Sequence, residues 1–237
     1  MRPLVIVPTY NERENLPELL RALLEIPSLQ VLVVDDGSPD GTGEAADAAA
    51  WAHPDRVRVL HRTGPRGLGR SYLDGMRRAL DGEADVICQM DADLSHLPAD
   101  LPRLLDATAR ADLVIGSRYV PGGAIRNWPR RRVWLSAFAN RYVRAITRLS
   151  PYDSTSGFRA WRREALARIP LERLRVEGYA FQVEMTWQAQ RAGLRIAEVP
   201  ITFVERRQGQ SKLSRGVLLE SALHPWKLVL VRKPRPM

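Results

Sequence analysis

Soft metal ligands and thiols are nearly absent from this 237-residue chain, which has one cysteine, Cys88, and four histidines. A single cysteine closes no intrachain disulfide, so a reducing compartment is permitted and the fold has to rest on its core. Cys88 lies inside an apolar strand pattern and reads as a small core residue. His53, His61, His96 and His224 have no metal-ligand spacing among themselves, and His96 reads as a neighbour of ligands or a helix-start residue. Neither a His nor a Cys nucleophile motif is present. Long apolar runs are missing too, since none approaches the roughly 18 residues that a spanning helix needs. Met1–Pro8 is too short for a signal-peptide core and lacks a small-residue cleavage site. The chain is therefore expected not to cross a membrane.

Hydrophobic content of 45% and charged content of 27% are ordinary globular values, which excludes general disorder. The length suits one large domain better than two complete ones. Acid is what two segments lack. Residues 119–152 hold seven Arg and no acid, and residues 206–237 hold eight Lys or Arg against Glu220, so each carries +7. The net charge is +9, which leaves −5 for the rest. A mildly acidic body with two basic segments predicts a polyanionic partner, either nucleic acid or anionic lipid headgroups.

Leu4–Val7, Val31–Val34, Val57–Leu60, Val86–Met90 and Leu113–Ile115 are short runs rich in Val and Ile. Between them, Glu14–Glu25, Gly41–Ala52, Leu68–Leu80 and Pro98–Ala109 carry apolar residues at helical spacing. The alternation predicts an α/β fold of right-handed strand-helix-strand units on a mostly parallel sheet flanked by helices. Ligands of such sheets bind beyond the carboxyl ends of the strands. After Ile115 the pattern changes. Gly122–Ser150 is basic and aromatic, Gly157–Gly193 reads as mainly helical, Ile196–Val204 as a late strand, and Val217–Met237 as an apolar helix with a basic tail.

Polar motifs follow the strands. The first run ends in Pro8-Thr9-Tyr10-Asn11-Glu12, an aromatic surface and acceptors that suit a nucleoside, although Asn11 also reads as a helix cap and Tyr10 as packing. Asp35–Thr42 follows the second run as a turn whose acids Asp35 and Asp36 stand at a strand end. Arg62, Arg66 and Gly67-Leu68-Gly69 follow the third and suit phosphate. The Gly-x-Gly lacks the third glycine and acidic partner of a dinucleotide fingerprint, which argues against NAD. Asp91-Ala92-Asp93 follows the fourth run. Alternate side chains of an extended segment point the same way, so the two carboxylates can meet one divalent cation. In isolation the triplet also reads as a solvated turn.

Taken in order, these blocks together with Leu94-Ser95-His96 and Gly116-Ser117-Arg118-Tyr119 resemble the polyprenol-phosphate glycosyltransferases, above all the dolichol-phosphate mannosyltransferases. Ser156-Gly157-Phe158-Arg159, Gly178–Glu184 and Glu205–Lys212 extend the resemblance over nearly the whole chain. It implies a single Rossmann-like GT-A domain with basic interfacial helices. Residues 1–118 would be its nucleotide-sugar half, 119–215 its acceptor half, and 216–237 a membrane- or partner-docking helix and tail. It implies inverting transfer of mannose from GDP-mannose to a polyprenyl (dolichyl-type) phosphate with Mg2+ or Mn2+. On that reading Pro8, Tyr10, Glu12, Val34 and Asp36 hold guanine and ribose. Asp91, Ala92 and Asp93 hold ribose, metal and diphosphate, with Ser95 or a water where some relatives have a Gln ligand. Arg118, Arg206 and Lys212 supply charge around the phosphates, and Arg118 with Arg131 or Arg132 meets the acceptor phosphate. The chemistry agrees, because a phosphate acceptor is already ionised and needs no strong general base.

Trp134, Phe138, Tyr142 and Ile146 recur every four residues, with Arg141, Arg144 and Arg148 on another helix face. The pattern fits an interfacial helix at a membrane surface or a core stripe beneath a basic face. The first predicts a peripheral protein on the cytoplasmic face of a membrane, alone or beside a membrane-spanning partner. Two other readings stay open. One changes the donor to a UDP-linked glucose or aminosugar. The other is a nonenzymatic basic module, which leaves the acids at three strand ends unexplained because acids oppose nucleic-acid binding.

Overall fold

The computed structural model describes residues 1–174, 178–205 and 223–230, with backbone alone at Gly178 and Tyr179. Its first half alternates as the sequence predicts. The elements are β1 (Pro3–Thr9), α1 (Leu16–Leu24), β2 (Gln30–Asp35), α2 (Thr42–Ala52), β3 (Val57–His61), α3 (Leu68–Leu80), β4 (Val86–Gln89), α4 (Leu101–Ala107) and β5 (Leu113–Ser117). There follow β6 (Ala124–Arg126), α5 (Arg130–Thr147), β7 (Arg159–Arg162), α6 (Arg163–Leu166), α7 (Gly178–Arg191), β8 (Ile196–Pro200) and β9 (Thr202–Val204). Residues 223–230 form a further helix, α8.

The main sheet runs β3-β2-β1-β4-β7-β5-β8, and β6 pairs with β9 in a small second sheet. Every pairing in the main sheet is parallel except those of β7 with β4 and β5. Strand order reverses beside β1, so a crevice opens where β1 and β4 end.

Two apolar layers cover the sheet, and the period-2 alternation of the strands decides which residue joins which. Val5, Val7, Val31, Val33 and Cys88 face Leu16, Leu19, Leu23, Leu101 and Leu104 of α1 and α4. Leu4, Ile6, Leu32, Val34 and Ile87 face Tyr72, Leu73 and Met76 of α3 and Phe181 and Met185 of α7. In α3, Gly75 lets the helix lie close, since a Cβ there would stand 2.6 Å from Ile6 Cγ2 and 3.1 Å from Val34 Cγ2.

The segment expected to be mainly helical, Gly157–Gly193, instead opens with the central antiparallel strand β7. The strand has four residues and an Arg at each end, and it is stabilised by long-range contacts. Trp161 is fully buried and its Nε1 donates to Gln89 Oε1 at 2.9 Å. Arg159 is fully buried too, donating to the carbonyls of Ser156 and Ser154, both at 2.8 Å. The late strand breaks at Ile201 into β8 and β9, which serve different sheets.

Candidate active site

At the crevice, the end of β1 joins the start of α2 through Glu12, whose backbone N–H donates to Thr42 Oγ1 at 2.9 Å. Asn15 Nδ2 donates to Glu12 Oε2 at 2.8 Å. Asp35 organises its own turn, accepting from Ser38 N–H at 3.2 Å and Ser38 Oγ–H at 2.6 Å. Asp36 is buried, accepts from Gly67 N–H at 2.8 Å and pairs with Arg62. Arg62 also gives Nε to Asp74 Oδ2 at 2.7 Å. Although burial opposes its charge, the two acids hold its pKa above the ordinary arginine value. Arg62 is thus a structural cation tying β3 to β2, which corrects its reading as a phosphate ligand. Arg66 does face outward, with its guanidinium 4.9 Å from the centre of the Tyr10 ring and bonded to the Tyr10 hydroxyl. Pro8 is buried. Val34 is fully buried in the layer beneath α3, so its side chain belongs to the core and not to the crevice.

Past β4, Asp91 is partly open, with 27% of its side chain exposed. Its Oδ1 accepts from the Tyr72 hydroxyl at 2.8 Å. Tyr72 has no exposed surface and stacks on Phe181 at 6.1 Å, so α3 and α7 together aim this carboxylate. Burial, with the Asp91 charge second, pushes the Tyr72 pKa well above its ordinary value, so the phenol stays a donor. Gly157 lies against the other side, where a Cβ would meet the Asp91 oxygens at 3.3 and 3.4 Å. Asp93 is buried and accepts from Ser95 N–H at 3.1 Å, across Leu94 in a left-handed conformation (φ 59°). Ala92 is buried.

Ser95 is fully buried, and among the described residues its Oγ has no hydrogen-bond partner. An orphaned hydroxyl next in the backbone turn to Asp93, with the Asp91 and Asp93 carboxylates, gives hard oxygen donors of the kind that fit Mg2+ or Mn2+. No group of three or more His, Cys, Asp or Glu suited to a metal occurs among the described residues. His96 is buried between Phe158 and Phe203, with ring centres at 5.1 and 5.3 Å. Burial lowers its pKa against the pull of Asp91 and Asp93. It packs the floor as a neutral ring.

The facing wall is cationic but paired. Arg118 gives Nε to Asp153 Oδ2 and Nη2 to Asp153 Oδ1, both at 2.7 Å, and its backbone N–H bonds the same carboxylate at 3.0 Å. Burial pushes the Asp153 pKa up, but the Arg118 charge and hydrogen bonds outweigh it and hold the carboxyl below its ordinary range. Arg132 stacks 3.9 Å over Trp128 and pairs with Glu205 at 3.0 Å. One pocket is lined by Asp91, His96, Arg118, Trp128, Arg132 and Phe203, with the loop Thr155-Ser156-Gly157. Arg131 is exposed on α5 and does not line it. Arg206 and Lys212 lie outside the described residues. Sequence reasoning missed Tyr72, Asp153, Thr155 and the Arg132 partner Glu205. Only the turn-rich Asp153-Ser-Thr-Ser-Gly157 before β7 offered a signal.

Beside the pocket, α5 buries Asn140, Val143 and Thr147 and exposes Trp134 (75%), Leu135 (62%) and Phe138 (66%). The core-stripe alternative therefore fails for Trp134 and Phe138, while Tyr142 is half-buried against the cluster of Val143, Trp187 and Leu228. Phe138 stacks on Tyr142, whose hydroxyl accepts from Trp226 Nε1 of α8 at 2.9 Å. Leu228 anchors α8 against Val143 and Trp187, while Leu223, Trp226, Val229 and Leu230 are exposed. Among the described residues no helix is long and apolar enough to cross a membrane.

The sequence profile described as glycosyl transferase family 2 matches residues 4–169. The chain is 53% identical over 93% of its length to polyprenol monophosphomannose synthase of Mycolicibacterium smegmatis, spanning 84% of that protein. It is 51% identical over 94% of its length to undecaprenyl-phosphate mannosyltransferase of Micrococcus luteus, spanning 92% of it. Against dolichol-phosphate mannosyltransferase of Pyrococcus furiosus the identity is 37% over 97% of this chain and 64% of the other. Among solved structures, glucosyl-3-phosphoglycerate synthase of Mycobacterium tuberculosis superposes with a TM-score of 0.68 at 20% identity, covering 97% of this chain and 79% of that one. The same enzyme in complex with Mn2+, UDP and phosphoglyceric acid gives 0.69 at 18% identity, covering 99% and 79%. These two likenesses concern the fold.

Proposed function

The chain belongs to glycosyl transferase family 2, and from that premise we propose that it transfers mannose from GDP-mannose to a polyprenyl phosphate with inversion. The observation that carries the reading is one pocket that brings Asp91, from the donor side, together with Arg118 and Arg132, from the acceptor side. The names of the relatives at 53% and 51% identity support the sugar and the lipid.

In the proposed reaction an acceptor phosphate oxygen forms the bond to the anomeric carbon from the face opposite the diphosphate. The glycosidic bond breaks and its electron pair leaves with GDP. Asp91, Asp93 and the Ser95 hydroxyl would hold a divalent cation, Mg2+ or Mn2+, and when bound it would supply positive charge to the leaving diphosphate. The pocket needs such charge. Arg118 is matched by Asp153 and Arg132 by Glu205, while Asp91 adds an acid, so the described residues give no net positive charge for two phosphates.

Each side chain has a part. Tyr72 holds one Asp91 oxygen and turns the carboxylate toward the pocket. Arg132, stacked on Trp128, meets the acceptor phosphate in exchange for Glu205, and Arg118 meets it from the same wall. Arg131 is then left to the membrane surface, not to the acceptor phosphate. Tyr10, Glu12 and Asp36, with the outward-facing Arg66, line the path to the nucleoside, and the exposed aromatics of α5 and α8 rest among lipid headgroups on the cytoplasmic face. Incubation with GDP-mannose, Mg2+ and a polyprenyl phosphate in vesicles is expected to yield a mannolipid. A panel of GDP- and UDP-sugars read by thermal shift tests the donor, because a bound ligand raises apparent stability. No lipid product from any of them overturns the reading.

A further inference from the structure

The buried face of α5 carries an amide where an apolar residue would serve stability better. Asn140 is 2% exposed, and its Nδ2 donates to Thr155 Oγ1 at 3.0 Å and to Ser136 O at 3.2 Å. Thr155 Oγ1 is saturated, accepting also from Arg118 Nη2 at 2.8 Å and donating to Asp153 Oδ1 at 3.2 Å. A hydroxyl has one proton and two lone pairs, so the amide must present its nitrogen here. Asn140 Oδ1 is consequently buried without a hydrogen-bond partner among the described residues. An unpaired buried acceptor destabilises a fold.

We propose that Asn140 is a positioning residue that couples the seating of α5 on a lipid surface to the placement of Arg118, through Thr155. The proposal rests on the lipid-docking reading of α5 given above. Three further contacts lie along the same path. Tyr119 donates to Ser136 Oγ at 2.7 Å, and the Arg118 guanidinium lies 5.3 Å from the Tyr119 ring centre. Arg144 stacks 4.0 Å over Tyr152, the residue before Asp153. Trp134, Leu135 and Phe138 lie on the exposed side of the helix that presents Ser136 and Asn140 inward. Movement of α5 into a headgroup layer therefore has a polar path to the Arg118–Asp153 clamp.

Amide hydrogen exchange with and without phosphatidylglycerol vesicles tests this without any need for transfer. In the wild type, vesicles are expected to slow exchange over residues 130–147 and also at 118–119 and 152–156. In Asn140→Leu the first protection remains and the second disappears, with a melting temperature equal to or above that of the wild type. Thr155→Val likewise loses the second protection and keeps the first, with a lower melting temperature because Asn140 Nδ2 and Arg118 Nη2 lose an acceptor, and Thr155→Ser keeps both, which decides the matter should Asn140→Leu fail to fold. In transfer assays, Asn140→Leu is expected to raise the KM for vesicle-embedded polyprenyl phosphate by about fivefold or more, the usual range of a coupling between sites. The KM for the nucleotide sugar stays unchanged. Persistent protection at 152–156 in both Asn140→Leu and Thr155→Val overturns the coupling. So does a wild type whose vesicles protect α5 alone or nothing. Absence of transfer by the wild type overturns the reaction and leaves the exchange result to judge the coupling.

Discussion

Asp153 has no exposed surface and spends both carboxylate oxygens on Arg118. Breaking a buried pair leaves a charge uncompensated and costs about 3–5 kcal/mol, so Asp153→Ala is expected to lower the urea midpoint sharply and Arg118→Met/Asp153→Leu much less. The pH dependence follows in sign. The Asp153 pKa is depressed in the folded state, and that of Asp112 is held at about 2 by hydrogen bonds from Arg195. Their contribution is fully present above the unfolded carboxylate value of about 4 and drains as pH falls toward the folded values. Urea midpoints at pH 7 and pH 3 should show that loss, and Asp112→Asn should reduce it. Tyr72→Phe removes a single hydroxyl from a stacked ring. Losing that bond is expected to cost about 1 kcal/mol of stability, while the apparent requirement for divalent cation rises more than that for acceptor lipid. Equal effects on both in a metal and acceptor titration would show that Tyr72 does not orient Asp91. Of these residues the sequence reading singled out Asp91 and Arg118. Asp153, Tyr72 and Thr155 gain their roles from partners 35, 19 and 37 positions away, which no local pattern records.

Among the elements, β1, β2, β4 and β5 were legible because they are buried on both faces and read as apolar runs, while the edge strand β3, with Arg58 and His61 exposed, was legible from its Val and Leu residues alone. β7 was not. Its register between β4 and β5 comes from Trp161 and Arg159, and arginine at a fully buried position defies any hydrophobic pattern. α3 shows how an element carries a site. A methyl group on Gly75 would collide with Ile6, so Gly75→Ala is expected to cost about 1–3 kcal/mol. It should also shift Tyr72, one turn earlier, enough to weaken nucleotide-sugar binding in calorimetry. On α5 the periodicity was visible but its facing was not, since aromatic and arginine faces look alike for core and membrane. Trp134→Ser with Phe138→Ser is expected to abolish co-sedimentation with anionic vesicles and to change stability by no more than about 0.5 kcal/mol, as at ordinary exposed positions.

At the scale of the whole molecule, the doubly wound order places the ends of β1, β2 and β4 on one rim, which is why motifs scattered from Pro8 to Asp93 group together in the sequence. The same rim is short of positive charge, and chelation is expected to show it. EDTA should abolish transfer and the thermal shift given by nucleotide sugar, with Mg2+ or Mn2+ restoring both; full activity in EDTA would contradict the assignment of Asp91, Asp93 and Ser95. β7 sets one more property of the molecule, its order of assembly. β4 and β5 are neighbours in sequence but are joined only through a strand that ends at Arg162. While the chain is being synthesised, both must wait with open edges until that strand has left the ribosome. Unpaired edges of this kind recruit other chains. Nascent products ending before residue 159 should therefore aggregate or occupy chaperones, and those that include β7 should be released.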